Sequence, residues 1–253
     1  MPTRQSTGAL QITAIKRNEG KPKSSKTRHR SKETMTDKLR CRAVIFDFDG
    51  TLANSMPFLA KIGVEVMMRF YGISEEEAAE RYKSTTGLPY EHQIKLNFPD
   101  HESNDEAIEV FEKMKIEQIF EQELFTESEE TLRRLKRKGF MLFVSSSTFQ
   151  TTITEYFNRL GMLGYFTEIL GYRPGFEKGA HHFNHIHDCY EIPLQDVVFI
   201  GDSLKDFERS KNQTQFVALE GMFARRDFEE AGHSGYVIGN LVELDAILEP
   251  IMA

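Results

Sequence analysis

Residues 43–52 read Ala-Val-Ile-Phe-Asp-Phe-Asp-Gly-Thr-Leu, and this stretch decides the fold. Ala43, Val44, Ile45 and Phe46 form a short, continuous apolar run. Such a run reads as a strand of a parallel sheet buried on both faces. Strand one is placed at residues 43–48. Asp49-Gly50 is a turn signal that closes it. Side chains two apart on a strand share a face, so Asp47 and Asp49 are expected to point at one site. Neighbouring carboxylates repel, and burying them unpaired is costly. A metal ion would relieve both penalties. Ligands of open α/β sheets bind beyond the carboxyl ends of the strands, where these acids fall.

The chain of 253 residues fits one large domain, or a core with a smaller companion, and can bury a sizeable core unaided. Its two cysteines, Cys41 and Cys189, make no disulfide framework and point to a reducing, cytoplasmic setting. No apolar run approaches a membrane span, and none near the N-terminus reads as a secretory signal. No membrane partner is therefore expected. The net charge of -7 conceals an asymmetry. Residues 1–40 carry 11 Lys/Arg against 3 Asp/Glu, and the rest carries 21 against 36. An acidic body argues against nucleic acid as a partner. Residues 1–38 are basic and poor in large apolar side chains, so they read as a disordered tail. A solvated extension or a start at Met35 explains that tail, and phosphate contact or targeting through residues 21–32 is the alternative.

Phe58, Leu59, Ile62, Val66, Met67 and Phe70 recur at helical spacing and predict a helix over 54–71. Ser74 with Glu77 reads as a capping box opening a second helix to about residue 84. Further helices are expected at 91–96 and 105–120. Residues 54–125 are thus a helical insertion, and 39–53 with 126–253 make the core. There, helices are expected at 128–138, 149–160, 180–189, 204–211 and 241–248, the first capped by Ser128 and stopped by Gly139. Strands are expected at 140–144, 165–170, 197–200, 215–219 and 237–238. Arg225 and Arg226 read as a solvated face. The alternation gives an α/β class with a doubly wound, Rossmann-like parallel sheet.

Three more stretches fall at strand ends or helix starts. Ser145 and Ser146 follow an apolar strand, where a hydroxyl, exposed N–H groups and a helix N-terminus would cradle phosphate. Lys178 precedes a helix and could offset charge beside an ionised acid, with Arg173 before Pro174 as its rival. Asp202 and Asp206 end the apolar run of residues 197–200 and could complete an oxygen-lined site for Mg²⁺. In this order the four stretches resemble motifs I to IV of the haloacid dehalogenase-like phosphohydrolases. The resemblance covers about residues 41–250. It points to the branch with a type 1 helical cap, which includes phosphoglycolate phosphatases and β-phosphoglucomutase-like enzymes.

The resemblance implies a Mg²⁺-dependent phosphatase of a small phosphorylated substrate. Asp47 would be the nucleophile and Asp49 the general acid and base, with Ser145 and Lys178 on the phosphoryl oxygens. Mg²⁺ would be held by Asp47, the main-chain carbonyl of Asp49 and Asp202, with Asp206 behind them. Thr51, Ser146, Gly87 and His92 are candidate substrate contacts, Gly87 and His92 from the cap. Dehalogenases and P-type ATPases of this family lack the second acid, so Asp49 favours phosphatase or mutase. Mutases place a His after motif I, and residues 56–70 have none, which favours phosphatase. A monomer or homodimer is expected. Competing readings are a phosphomutase, a non-catalytic phospholigand-binding protein, an activity linked to nucleic acid through the tail, and zinc at His181 and His185.

Overall fold

The computed structural model describes residues 37–252. The basic tail assigned to residues 1–38 lies outside this range, apart from Asp37 and Lys38.

Six parallel strands form the central sheet: β2 (Ala43–Phe46), β3 (Met141–Phe149), β4 (Glu168–Tyr172), β5 (Val197–Gly201), β6 (Gln215–Leu219) and β7 (Val237–Ile238). Their order is β4-β3-β2-β5-β6-β7. The chain leaves β2 toward β3 on one side and returns on the other side at β5, so the strand order reverses between β2 and β5. A separate parallel pair joins β1 (Leu39–Cys41) to β8 (Leu248–Pro250), a pairing not anticipated from the sequence. Both partners are three residues long, too short to show a pattern.

The continuous apolar strands are explained by cover on both faces. Alternate residues Val44, Phe46, Leu142, Val144, Val198 and Ile200 face one core cluster with Leu132, Ile153 and Phe157. These belong to α5 (Ser128–Arg137) and α6 (Gln150–Arg159). Ala43, Ile45, Phe143 and Phe199 face the other cluster with Phe183, Ile186 and Phe207, on α7 (Ala180–Tyr190) and α8 (Leu204–Ser210). Between β2 and β3 run α1 (Met56–Tyr71), α2 (Glu75–Thr85), α3 (Tyr90–Asn97) and α4 (Asn104–Gln118). They bury Leu59, Ile62, Val66, Met67, Tyr82, Tyr90, Ile94 and Phe111 in an apolar cluster separate from both sheet faces. Ser74 caps α2 by accepting from the Glu77 N–H, but the Glu77 carboxylate accepts from Arg81, so only half of the expected capping box forms.

Several boundaries differ from the sequence reading. The run at 140–144 extends to Phe149, with a register irregularity between Ser145 and Phe149, because the hydroxyl-rich residues remain beside β4. Ser128 does not cap α5; its hydroxyl is buried and donates to the Leu52 carbonyl. The strand expected at 165–170 begins at Glu168, after a 3-10 turn at Leu163–Tyr165. Residues 241–248 split into a 3-10 turn, the short α10 (Leu244–Ile247) and β8. The stretch read as a solvated face contains α9 (Arg225–Glu230), which buries one apolar side chain, Phe228. A single inward residue leaves no periodic signal.

Candidate active site

β2 ends at Phe46 rather than at residue 48, so strand alternation is not what brings Asp47 and Asp49 together. The Asp47 N–H still donates to the Ile200 carbonyl at 2.9 Å, which extends the β2–β5 pairing by one residue. The chain then turns through residues 48–53, with the Leu52 and Ala53 N–H groups donating to the Phe48 carbonyl. Phe48 is buried against Tyr156 and Phe157, at centroid distances of 4.8 and 5.6 Å. Anchoring this ring in the core turns both flanking acids to the opposite side. Gly50 takes φ +80, and a Cβ there would strike the Asp202 carboxylate and Met56. Glycine is needed for both reasons.

Asp47 and Asp202 therefore project from adjacent strands where the strand order reverses, a usual ligand position in such sheets. Together with Asp206 they offer carboxylate oxygens within 4.8 Å of one another, all buried. Lys178 bridges two of them, with Nζ 2.8 Å from Asp47 Oδ1 and 2.6 Å from Asp206 Oδ1. Burial pushes the Asp47 carboxyl well above the usual range, against the pull of Lys178. Burial and the Asp206 charge push Asp202 up to about 7. Burial works against ionisation of Asp206 too, yet Lys178 and Arg209 bring it below the usual range. Lys178 is raised, because Asp206 and Asp47 outweigh its own burial cost. Asp202 Oδ2 is buried with no hydrogen-bond partner among the described residues. Three carboxylates thus share this buried space, and Asp47 and Asp202 resist ionising together beside Asp206.

Asp49 is bound differently. Its Oδ1 accepts from Ser55 Oγ at 2.7 Å, and its Oδ2 accepts from Thr148 Oγ1 at 2.9 Å. Lys115 on α4 donates to the same Thr148 oxygen at 2.8 Å and stands 3.9 Å from Asp49 Oδ2. Asp47, Asp49, Lys178 and Asp202 line one cavity of about 60 Å³. Its opposite side is formed by the helical insertion, through Leu59, Tyr82, Tyr90, Gln93, Phe111, Glu112, Lys115 and residues 86–89.

Some sequence-selected residues lie elsewhere. Ser145 is buried and shares a 2.8 Å hydrogen bond with His182 Nδ1, facing α7 rather than the cavity. Ser146 Oγ accepts from the Thr148 N–H. The extension of β3 carries the strand past both, so Ser147 lines the cavity instead. The following helix starts only at Gln150 and cannot direct its N-terminus at Ser145. Thr51 is buried, its hydroxyl has no hydrogen-bond partner among the described residues, and it does not line the cavity. Gly87 lines it and His92 does not; one residue further along α3, Gln93 takes that place. Arg173 is exposed and stacks on Phe176, 4.2 Å from the ring centroid, so Lys178 alone of the two rival cations reaches the acids. The histidines of α7 are engaged separately: His181 accepts from the Glu177 N–H, and His185 pairs with Glu168 at 2.9 Å. Among the described residues they form no metal-holding group.

The family model of haloacid dehalogenase-like hydrolases matches residues 44–219, most of the chain. The chain belongs to this family. A phosphoglycolate phosphatase of Neisseria meningitidis is 27% identical over 83% of this chain and 94% of its own length. A haloacid dehalogenase-like hydrolase domain-containing protein of Arabidopsis thaliana is 26% identical over 85% of this chain and 87% of its own. The structure of a haloacid dehalogenase-like family hydrolase from Streptococcus pneumoniae superposes with a TM-score of 0.69, at 20% identity. That superposition covers 81% of this chain and 97% of the other, and it shows a shared fold.

The motif reading of this hydrolase missed Lys115, Thr148, Ser55 and Arg209. Lys115 lies on a helix rich in charge, where its spacing signals only a solvated face. Burial of a lysine against a core threonine becomes visible only once α4 is packed. No helix among the described residues is long and apolar enough to cross a membrane.

Proposed function

We propose that the protein is a Mg²⁺-dependent phosphatase of a small phosphorylated metabolite, working through an aspartyl phosphate. The observation that carries this reading is the pair of acids in one cavity under opposite conditions. Asp47 is clamped to Lys178, while Asp49 is held by two hydroxyls beside a lysine of the insertion.

The donor set suits Mg²⁺, a hard cation that takes oxygen ligands. The partnerless Asp202 oxygen, and the open space that Gly50 leaves against that carboxylate, fit a bound cation. Asp47, Asp202 and the Asp49 carbonyl would hold it, with Asp206 behind. When bound it would offset charge on the phosphoryl oxygens.

In this reading Asp47 attacks phosphorus in line, and the bond to the leaving oxygen breaks. Asp49 protonates that oxygen, which departs as an alcohol. Lys178 offsets charge on the phosphoryl group. Water then attacks the aspartyl phosphate while Asp49 takes its proton, releasing phosphate and restoring Asp47. The helical insertion acts as a cap that excludes water from the cavity. Phosphoglycolate, named in the Neisseria relative, is the first ester to try. The α1 residues on the cavity are Met56 and Leu59, which gives no support to a mutase histidine. Free Cys41 and Cys189 fit a cytoplasmic setting.

The test is phosphate release from p-nitrophenyl phosphate and a panel of metabolite phosphates, with and without Mg²⁺, for wild type and Asp47→Asn. Mg²⁺-dependent turnover lost in Asp47→Asn is expected. Absence of turnover on every ester, in protein that binds Mg²⁺, would contradict the phosphatase reading and favour a phospholigand-binding protein.

A further inference from the structure

The loop between α2 and α3 meets the core at Gly87. This residue has φ +93, and a Cβ there would lie 2.6 Å from Ser203 Oγ and 3.0 Å from Lys205 Cβ. The Gly87 carbonyl accepts from Arg209 Nη1 at 2.8 Å and from Ser147 Oγ at 3.3 Å. Arg209, on α8, also places Nη1 3.4 Å from Asp206 Oδ1. The same Asp206 oxygen is 2.6 Å from Lys178, which is 2.8 Å from Asp47. A polar chain therefore runs from the loop carbonyl through Arg209, Asp206 and Lys178 to Asp47. Its members are well shielded, with side-chain exposure of 17% for Arg209, 3% for Lys178 and 0% for Asp206.

We infer that Arg209 is a positioning residue, which latches the seated loop to the lysine–carboxylate pair that orients Asp47. The inference rests on reading Asp47 as the nucleophile. A guanidinium presents several donors in a fixed fork, so one side chain can serve both a carbonyl and a carboxylate. Hydrogen bonds from a charged donor are strong where solvent is excluded. With the loop seated, Arg209 is drawn toward Gly87, and Asp206 pairs more closely with Lys178, as the 2.6 and 3.4 Å distances record. With the loop displaced, Arg209 loses its carbonyl acceptor and competes with Lys178 for Asp206 Oδ1. Loop seating and lysine placement are thus coupled, and the coupling works in both directions. If Arg209 served only as an ion-pair partner for Asp206, at 3.4 Å, it would have no energetic link to Gly87.

The test uses the full chain and the variants Arg209→Ala, Arg209→Lys, Gly87→Ala and Arg209→Ala/Gly87→Ala. Two quantities are measured: kcat on p-nitrophenyl phosphate with saturating Mg²⁺, and amide hydrogen exchange without substrate. Arg209→Ala is expected to lower kcat roughly 10-fold, the scale of one charged hydrogen bond. It should also speed exchange over residues 84–90 while leaving β5 and β6 unchanged. Arg209→Lys should recover part of both effects. The double variant should be no worse than the poorer single variant, because both changes break one contact. Losses that multiply in the double variant, or unchanged exchange over residues 84–90 in Arg209→Ala, would overturn the latch. If wild type shows no Asp47-dependent turnover, the phosphatase reading fails, and hydrogen exchange still decides the latch.

Discussion

The strand ends of the sheet and the helical insertion supply the two sides of one cavity, and they fix their residues in different ways. On the sheet side, placement follows from backbone register. Ala43–Phe46 pairs residue for residue with Val197–Ile200, so the acids that follow each strand emerge side by side. On the insertion side, placement follows from helix packing. Lys115, Gln93 and Gly87 come from three separate segments, brought together by the apolar cluster around Leu59, Tyr82, Tyr90 and Phe111. The sheet side carries the groups proposed to react with any phosphoryl group. The insertion meets whatever the phosphoryl group is attached to. Substitutions on the sheet side should therefore act alike on all substrates, and those on the insertion should discriminate among them.

The largest effect is expected from Lys178→Met. It removes the buried cation between Asp47 and Asp206, and kcat should fall on the order of 1,000-fold for every ester that wild type accepts. A loss that varied widely between esters would break the division between the two sides.

Asp202→Asn sharpens the electrostatic part of the contrast. Replacing an acid raised by burial and by Asp206 should stabilise the metal-free protein at neutral pH. The folded-state value lies above the unfolded one, so the fold holds the extra proton at low pH and stability falls as pH climbs toward 7. The advantage of Asn over Asp should therefore widen between about pH 4 and about pH 7. Thermal melts with Mg²⁺ should stabilise wild type and leave the variant unmoved. Equal Mg²⁺ shifts in both proteins would remove Asp202 from the site.

On the other side, Lys115→Met should lower kcat/KM about 10-fold, by an amount that differs between esters, because it removes a cation beside Asp49 and Thr148. Steady-state kinetics over the same panel measures this. A uniform loss across the panel would move Lys115 to the sheet-side group. The smallest effect is expected at His92. His92→Ala should change kcat/KM by less than about twofold, whereas Gln93→Ala, on the cavity, should change it more.

The same contrast explains what the sequence made legible. The order of strands and helices, the central place of β2 and the grouping of Asp47, Asp49, Lys178 and Asp202 follow from short motifs at strand ends. There the chain direction alone sets position. Ser145 was misplaced because the sequence does not reveal that β3 continues to Phe149, and that continuation turns the hydroxyl toward His182. Lys115 and Arg209 were invisible for another reason. Each is a charged residue on a helix, and only tertiary packing distinguishes it from its solvated neighbours. His92 was chosen over Gln93 by residue type, where one step along α3 decides which side chain reaches the cavity.

The most direct test of Asp47 as the nucleophile is to quench the protein during turnover of p-nitrophenyl phosphate and map the phosphorylated peptide by mass spectrometry. A phosphoryl group on the peptide containing Asp47, trapped by acid quench, released by hydroxylamine, absent from Asp47→Asn and dependent on Mg²⁺, is the predicted result. Turnover with no phosphorylated peptide, or a phosphoryl group on any other residue, would contradict it.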